Sequence, residues 1–425
     1  MYQFRLSGKK RHYFYIGIII FYFFIALFAS FLTNDKPLFF SMNGKFYFPA
    51  FNNKPYLDIP NNLGVINKIR TNNIDWKNFK ADKIIYAPFC WSPSHSDLLN
   101  TYVSPFARQQ YFKEEKIVDL PFRFRHFLGT GKTGNDVLAG LIYGTRTSVS
   151  IGFFSMMIAI IIGIFLGGFA GYLGDDKLKI RRGCMILSIL MIIPAWFYSF
   201  QIRFEIIKES FMNTSISGIL QLLISAFIFI AILVWPLFIP FKKLPALDKK
   251  INIPVDSIVS RFIEIFLSLP RLILILTIAA ISRPSVLSII LIIGFTAWTE
   301  IARMMRAQVL QLREMNYIAA AKAFGSSSMK ILIRHLLPNA MSQIIVIWTI
   351  GIASAILTET GLSFLGIGVP PGTATWGSLM FEAKENYQAW WLVIFTGIAI
   401  FSLLSSLYLL GNKLKSLDEK SAQLS

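Results

Sequence analysis

Apolar positions in this chain gather in long unbroken runs rather than alternating or falling at helical spacing. Runs of roughly 17–25 residues are long enough for an α-helix to cross the hydrocarbon core of a bilayer. Tyr13 to Leu32, Ser148 to Leu173, Cys184 to Phe200, Gly218 to Phe241, Pro284 to Ile301 and Met341 to Leu357 are such runs. Another grows out of the amphipathic stretch Pro254 to Leu269 and ends near Ile281, and the last follows Trp390-Trp391 and ends near Leu410. The pattern predicts about eight membrane helices. Pro194 and Pro236 predict irregular turns, and Pro270 a kink at the start of its span. Gly163, Gly167, Gly168 and Gly171 share one helix face, for packing inside the bundle or against a partner subunit.

The polar interruptions divide the chain. Lys and Arg flank the first run at Arg5, Lys9, Lys10 and Arg11, and recur at Lys177–Arg182, Lys242–Lys250, Arg303–Arg334 and Lys413–Lys415. By the positive-inside rule these places, and both termini, are cytoplasmic. Residues 1–32 are then a tail and first span. Residues 33–125 are polar, aromatic and too broken to cross a membrane. Fragments such as Gly44–Phe48 and Lys83–Pro88 read as short strands bounded by turn residues, so the segment is expected to be a small β-rich domain outside the cytoplasm. Residues 126–182 carry the second span, 183–253 a hairpin of two spans that goes out and returns, 254–411 the remaining spans with a cytoplasmic loop at 303–338, and 412–425 a tail. Trp390 and Trp391 are expected to be an interfacial anchor.

Composition agrees: of 425 residues 54% are hydrophobic and 15% charged, against about 25% charged in soluble domains. The net charge of +19 would point to nucleic acid in a soluble protein, but its cations lie in loops beside apolar runs, so nucleic acid is excluded as a partner. Cys90 and Cys184 are the only cysteines, one in the polar segment and one at a span end, and are not expected to pair. No metal-type Cys/His spacing, nucleophilic triad or paired carboxylate set is present, which gives no catalytic and no metal residue. Gly131-Lys132-Thr133 resembles the end of a phosphate-binding loop, but His126 stands where its first glycine belongs and no strand precedes it. Glu264, Glu300 and Glu359 fall at the ends of the expected spans, so no charge sits at mid-membrane to drive ion-coupled transport.

One polar stretch stands out, Tyr317 to Ala340, YIAAAKAFGSSSMKILIRHLLPNA. Its alanines form a helix without side-chain bulk. Gly325 stops that helix in the left-handed conformation, Ser326 to Ser328 cap a second one, and Pro338 introduces the next span. Such a helix–glycine–helix suits a groove on another protein. The stretch resembles the EAA loop of ABC-importer permeases, with Ala319-Ala320-Ala321 in the E-A-A place, Gly325 as its glycine and Leu336-Leu337-Pro338 as its end; alanine at 319 stands where the family carries glutamate. ETGLSFLGIGV, beginning at Glu359 and followed by Thr375-Trp376-Gly377, is similar to a second family motif. LGTGKTGNDVLAGLIYGTR, Leu128 to Arg146, is similar to a third, with Gly131 and Asn135 replacing its aspartate and arginine. Together, over residues 126–174 and 254–411, they resemble the C-type permease subunit of dipeptide, oligopeptide and nickel importers.

The resemblance implies an all-α polytopic fold, a six-helix permease core with the hairpin inserted, in the cytoplasmic (inner) membrane. It implies transport of peptides, with this chain forming half of the pore and a second related permease subunit the other half. One or two kinds of ABC ATPase subunit would bind the loop and an extracytoplasmic solute-binding protein would deliver substrate. The chain itself would hold no cofactor, and ATP and Mg would sit on the ATPases. Ala319, Ala320, Ala321, Lys322, Ala323, Gly325, Arg334, His335, Leu337 and Pro338 would be the ATPase-coupling residues. Glu359, Leu362, Ser363, Phe364, Leu365, Gly366, Trp376 and Gly377 would form an outer-gate loop. The alternatives are an ion-coupled secondary transporter or channel, a membrane scaffold for the outer domain, or the same importer family with a nickel chelate or peptide antibiotic as substrate.

Overall fold

Long apolar runs satisfy their backbone hydrogen bonds as helices, and here they do so with few interruptions. The computed structural model describes residues 8–424 except 43, 52–55, 61–65, 71–73, 75, 77–78, 80, 114–115, 214 and 240–244. In chain order α1 (Gly8–Leu32) is followed by strands β1 (Phe39–Met42), β2 (Lys45–Tyr47), β3 (Tyr56–Pro60), β4 (Ile66–Arg70), β5 (Lys83–Ile85), β6 (Gln110–Lys113) and β7 (Lys116–Asp119). Then come α2 (Val137–Leu173), β8 (Lys179–Arg181), α3 (Arg182–Leu190), α4 (Ile192–Trp196), α5 (Phe204–Asn213), α6 (Ser215–Val234), α7 (Pro245–Asp248), β9 (Lys250–Asn252) and α8 (Val255–Ser268). The chain ends with α9 (Arg271–Ile281), α10 (Val286–Leu312), α11 (Asn316–Ala323), α12 (Ser328–Ile331), α13 (Leu337–Phe364), α14 (Trp376–Glu385) and α15 (Trp390–Leu424).

Among the described residues, 6 helical stretches are long and apolar enough to span a membrane, and two bent helix pairs raise the number to as many as 8. The protein is a multi-pass helical membrane protein with small sheets. Pro270 does more than kink its span: α8 and α9 meet there at 80°. Pro338 does less, because α12, a π-helical turn at Leu332–Leu336 and α13 run on as one stretch, Ser328–Phe364. The wide turn precedes the proline, whose ring and missing N–H disturb the ladder one turn back.

The chain forms two compact units, Met1–Gly168 with Ile263–Ser425, and Phe169–Phe262. In the first, α2, α13, α14 and α15 enclose a core that includes Val137, Leu141, Ile356, Trp376, Trp391 and Leu392. A Cβ on Gly163 would meet Ile301 Cγ2 at 2.6 Å, and one on Gly167 would strike the carbonyl of Ala302, so these two glycines admit α10 within this chain. The 33–125 segment belongs to the same unit. Its sheet runs β2–β1–β5, both pairs antiparallel, around Phe40, which stacks on Tyr47 at 4.8 Å. Trp91 and Phe124 pack with Ala139 of α2, so the segment is not set apart from the helices. Trp391 is not an interfacial anchor: it is 4% exposed, while Trp390 is 43% exposed. Both cysteines are free and buried.

In the second unit β8 pairs antiparallel with β9, Arg181 opposite Lys250, and Arg181 Nε lies 3.1 Å from Asp248 Oδ1. The chain therefore leaves for the hairpin and returns at one place. Pro194 sits beside a bend of 46° and a π-helical turn at Phe197–Gln201, and Pro236 in a 3-10 turn at Trp235–Phe238. Arg203 donates to Gln221 Oε1 at 2.6 Å and to Ser225 Oγ at 3.1 Å, which ties the two runs of the hairpin together.

Candidate functional site

The 317–340 stretch folds as its composition requires. Asn316 to Ala323 form α11, and Gly325 follows at φ +75°. The Gly325 N–H donates to the carbonyl of Lys322 at 3.0 Å, and the Ser326 N–H to that of Ala321 at 3.1 Å. These are the two bonds of a Schellman C-cap, which needs a left-handed residue at Gly325. Nothing lies within 4 Å of a Cβ built there, so the glycine serves backbone conformation and not close packing within the chain. Ser327 caps α12, its side chain accepting from the Lys330 N–H. Ile318, Ile331, Leu332 and Leu336 are buried and fix the loop on the bundle. Asn339 Nδ2 donates to Tyr317 Oη at 3.3 Å and to the carbonyl of His335 at 2.8 Å.

The residues expected to couple are mostly on the surface. Ala319, Ala320, Lys322, Ala323, Gly325, Arg334 and Pro338 are exposed, and Ala321, His335 and Leu337 half-buried. Large apolar side chains stand among them: Phe324 is 89% exposed, Ile333 57% and Met329 51%. The sequence reading left these out, although an apolar side chain in a polar loop is a legible signal for a protein contact.

The other two motifs come together as one buried junction. The expected loop from Glu359 is helix up to Phe364, which corrects that reading for Glu359, Leu362, Ser363 and Phe364. Gly361 lies in the last turn of α13, and it is Gly366, at φ +77°, that ends the helix with the same pair of capping bonds seen at Gly325. Leu365 and Gly366 are exposed there. Glu359 is not interfacial: it is fully buried and accepts from Ser148 Oγ of α2 and Ser363 Oγ, both at 2.8 Å. Trp376 is buried at the start of α14, donates to the carbonyl of Leu141 at 3.3 Å and meets Tyr22 of α1 edge-on. A Cβ on Gly377 would come within 2.5 Å of Ser363 Cβ and of the Thr360 carbonyl oxygen. Here glycine is required by the close approach of α14 to α13.

The Leu128–Arg146 motif braces this junction. Trp391 Nε1 donates to the Thr130 carbonyl at 3.1 Å, and Thr130 Oγ1 accepts from the Val103 N–H at 2.8 Å. Asp136 caps α2 by accepting the Ala139 N–H at 2.6 Å. The same carboxylate lies 2.9 Å from His126 Nδ1, and Asp97 lies 3.5 Å from Nε2. Burial alone would lower the pKa of His126; the two carboxylates outweigh it and raise the value. Lys132, the lysine of the apparent phosphate loop, pairs with Glu385 at 2.6 Å. Gly131 and Asn135 both face Glu382: Asn135 Nδ2 donates to it at 3.3 Å, and a Cβ on Gly131 would strike its Oε2. Burial raises the pKa of this carboxyl, against hydrogen bonds from the Lys132 N–H and Asn135. An aspartate at 131 would put a second negative charge on it.

α10 continues past the expected span end to Leu312, so Glu300 stands near the middle of that helix. No group of three or more metal-type ligands occurs among the described residues.

Residues 244–415 match the family of the binding-protein-dependent transport system inner membrane component. It is 25% identical over 420 residues to the inner membrane ABC transporter permease protein YejE of Escherichia coli, covering 97% of this chain and 94% of that one. It is 25% identical over 323 residues to the dipeptide transport system permease protein DppC of Bacillus subtilis, 75% of this chain and 77% of that one. A putative peptide transport system permease protein of Brucella suis is 37% identical over 161 residues, and there the chain spans only 54% of the relative's length. A methionine ABC transporter in inward-facing conformations aligns at 15% identity with a TM-score of 0.37.

Proposed function

We propose that this chain is the permease subunit of an ATP-driven importer of peptides. It forms half of the translocation passage beside a second related permease subunit, and separate ATPase subunits seat on the 317–340 loop. The observation that carries this is the exposed apolar set Phe324, Met329 and Ile333 on a loop that buries Ile318, Ile331, Leu332 and Leu336. Such a patch on a polar loop marks a protein contact. ATP and Mg belong to the ATPases, this chain supplies no catalytic group, and an outer solute-binding protein delivers the substrate. Both termini and the loop face the cytoplasm, and the 33–125 segment the other side, as the lysines and arginines direct. The peptide substrate follows from relatives named for peptide and dipeptide transport.

One observation favours ion-coupled transport, the carboxylate of Glu300 halfway along α10. The match to a binding-protein-dependent family outweighs it. Purification from the native membrane separates the two. The expected result is an ATPase that stays with the wild-type chain and is lost from Phe324→Ala, with the variant still folded in the membrane. A wild-type chain that purifies without an ATPase and moves substrate down an ion gradient overturns the proposal.

A further inference from the structure

A cavity of about 470 Å³ lies within the larger unit, walled by α2, α9, α10, α13 and α15. That is within the range of roughly 300–1,000 Å³ usual for small-ligand sites. Met156, Glu300, Gly351 and Tyr408 of its wall each stand near the middle of a long helix. The lining is apolar for the most part, but it holds three charges: Glu300, Arg303 and Arg271. Glu300 and Arg303 share a face of α10, being three residues apart. Arg271 is the first residue of α9, directly after the break at Pro270, and its Nε is buried with no hydrogen-bond partner among the described residues.

Charged side chains halfway along membrane helices are costly and face water-filled paths, partners or ligands, not lipid. Transport proteins also place binding groups at the ends of broken helices, where chain direction changes inside the membrane. Arg271, at the break after Pro270, and Glu300 and Arg303, along α10, line this one cavity. The pattern of charge names the ligand class. Two guanidiniums suit a carboxylate, one carboxylate suits an ammonium, and the remaining walls are apolar and shapeless enough to accept varied side chains.

We propose that this cavity is a station for the zwitterionic ends of a short peptide, its carboxylate on Arg271 and Arg303 and its ammonium on Glu300. The proposal rests on the reading of the chain as a peptide permease. It predicts that free ends are recognised by the permease itself, because a capped end leaves a charge of the cavity wall without its partner.

The test uses the purified complex of this chain with its partner subunits, in the absence of a solute-binding protein. Ser354 lines the cavity, and both native cysteines are buried, so Ser354→Cys gives one thiol whose alkylation reports occupancy. A short alanine peptide with free ends should slow the alkylation by about tenfold at a concentration where the N-acetylated and C-amidated forms do not. In the background of Glu300→Gln the free and N-acetylated forms should protect equally, and in that of Arg271→Gln the free and amidated forms should. Retention of the ATPase certifies that each variant is assembled. The proposal is overturned if the free peptide gives no protection, or if capped and free forms protect alike in the unsubstituted cavity. ATP-driven uptake of the same peptides into proteoliposomes by the wild-type complex with its binding protein tells the two failures apart. Uptake without protection sinks the station alone, whereas no uptake of any peptide sinks the peptide reading with it.

Discussion

The hydroxyl of Ser148 donates to the carboxylate of Glu359 at 2.8 Å, and both residues are fully buried. This bond joins α2 to α13 across 211 positions of sequence. Ser363 donates to the other carboxylate oxygen, so the acid satisfies two helices at once. Glu359→Ala removes the acceptor and leaves two buried hydroxyls without it. The expected loss is about 1–3 kcal/mol for each group left unsatisfied. Glu359→Gln keeps the shape and one acceptor oxygen and should lose much less. Thermal unfolding of the detergent-solubilised chain checks the order, alanine well below glutamine and glutamine close to wild type. Equal melting of alanine variant and wild type would show that the bond holds nothing.

The inserted hairpin offers a second test. Because Arg181 pairs with Lys250, residues 182–249 can be removed and the strands closed by an Asn-Gly turn without stretching the chain. The remaining spans keep their orientation, since an even number is lost. We expect the shortened chain to insert and to keep the substrate profile of the full one, with weaker assembly or a lower melting temperature. Uptake of a peptide panel beside co-purification of the partner subunits measures both. A shifted profile with normal assembly would place the hairpin in substrate selection.

What the sequence made legible was local. The strands at β2 and β5, the amphipathic α8, the irregular turns at Pro194 and Pro236, and the stop at Gly325 all follow from a few neighbouring residues. Glu359 was misplaced because Gly361, Gly366 and Gly368 read as loop, and its hydroxyl partner Ser148 lies too far along the chain to be seen. Hydropathy marks where a helix can face lipid, and α10 runs on past that mark to Leu312. Trp391 shows the same limit: a tryptophan beside a span reads as an anchor, yet the Thr130 carbonyl that takes its N–H is 261 residues away.

The His126 cluster should make stability depend on pH. The ring is sealed against Trp91 at 4.0 Å between centroids and lies between Asp136 and Asp97. Burial pulls its pKa down, but the two carboxylates prevail and the value is raised. A raised folded pKa means that the charged ring stabilises the fold fully below the unfolded value of about 6.5, and that this contribution fades as pH rises through the folded value. The melting temperature should therefore fall between pH 6.5 and mildly alkaline conditions in wild type, and more weakly in His126→Asn. Parallel melting curves for the two across that range would refute the assignment.

Gly325 provides the sharpest test of the coupling loop. Its φ of +75° is demanded by the two capping bonds that turn α11 into the capping serines of α12. With nothing within 4 Å of its would-be Cβ, a side chain there meets no clash, and only backbone strain is at issue. Asparagine visits this conformation readily, alanine less so, and a β-branched valine hardly at all. Strain of about 1–3 kcal/mol is the expected scale for the unsuited residues. It would be relieved by letting the turn shift, which moves Phe324 and Met329 relative to each other. The melting temperature of the whole chain should change little, since the loop is exposed. Retention of the ATPase and substrate-stimulated ATP hydrolysis in proteoliposomes should instead fall in the order glycine, asparagine, alanine, valine. If the glycine served only as a small residue under the ATPase, asparagine would be worse than alanine. That reversal would move its role from backbone geometry to the contact itself, and full coupling in Gly325→Val would remove the loop as the coupling element.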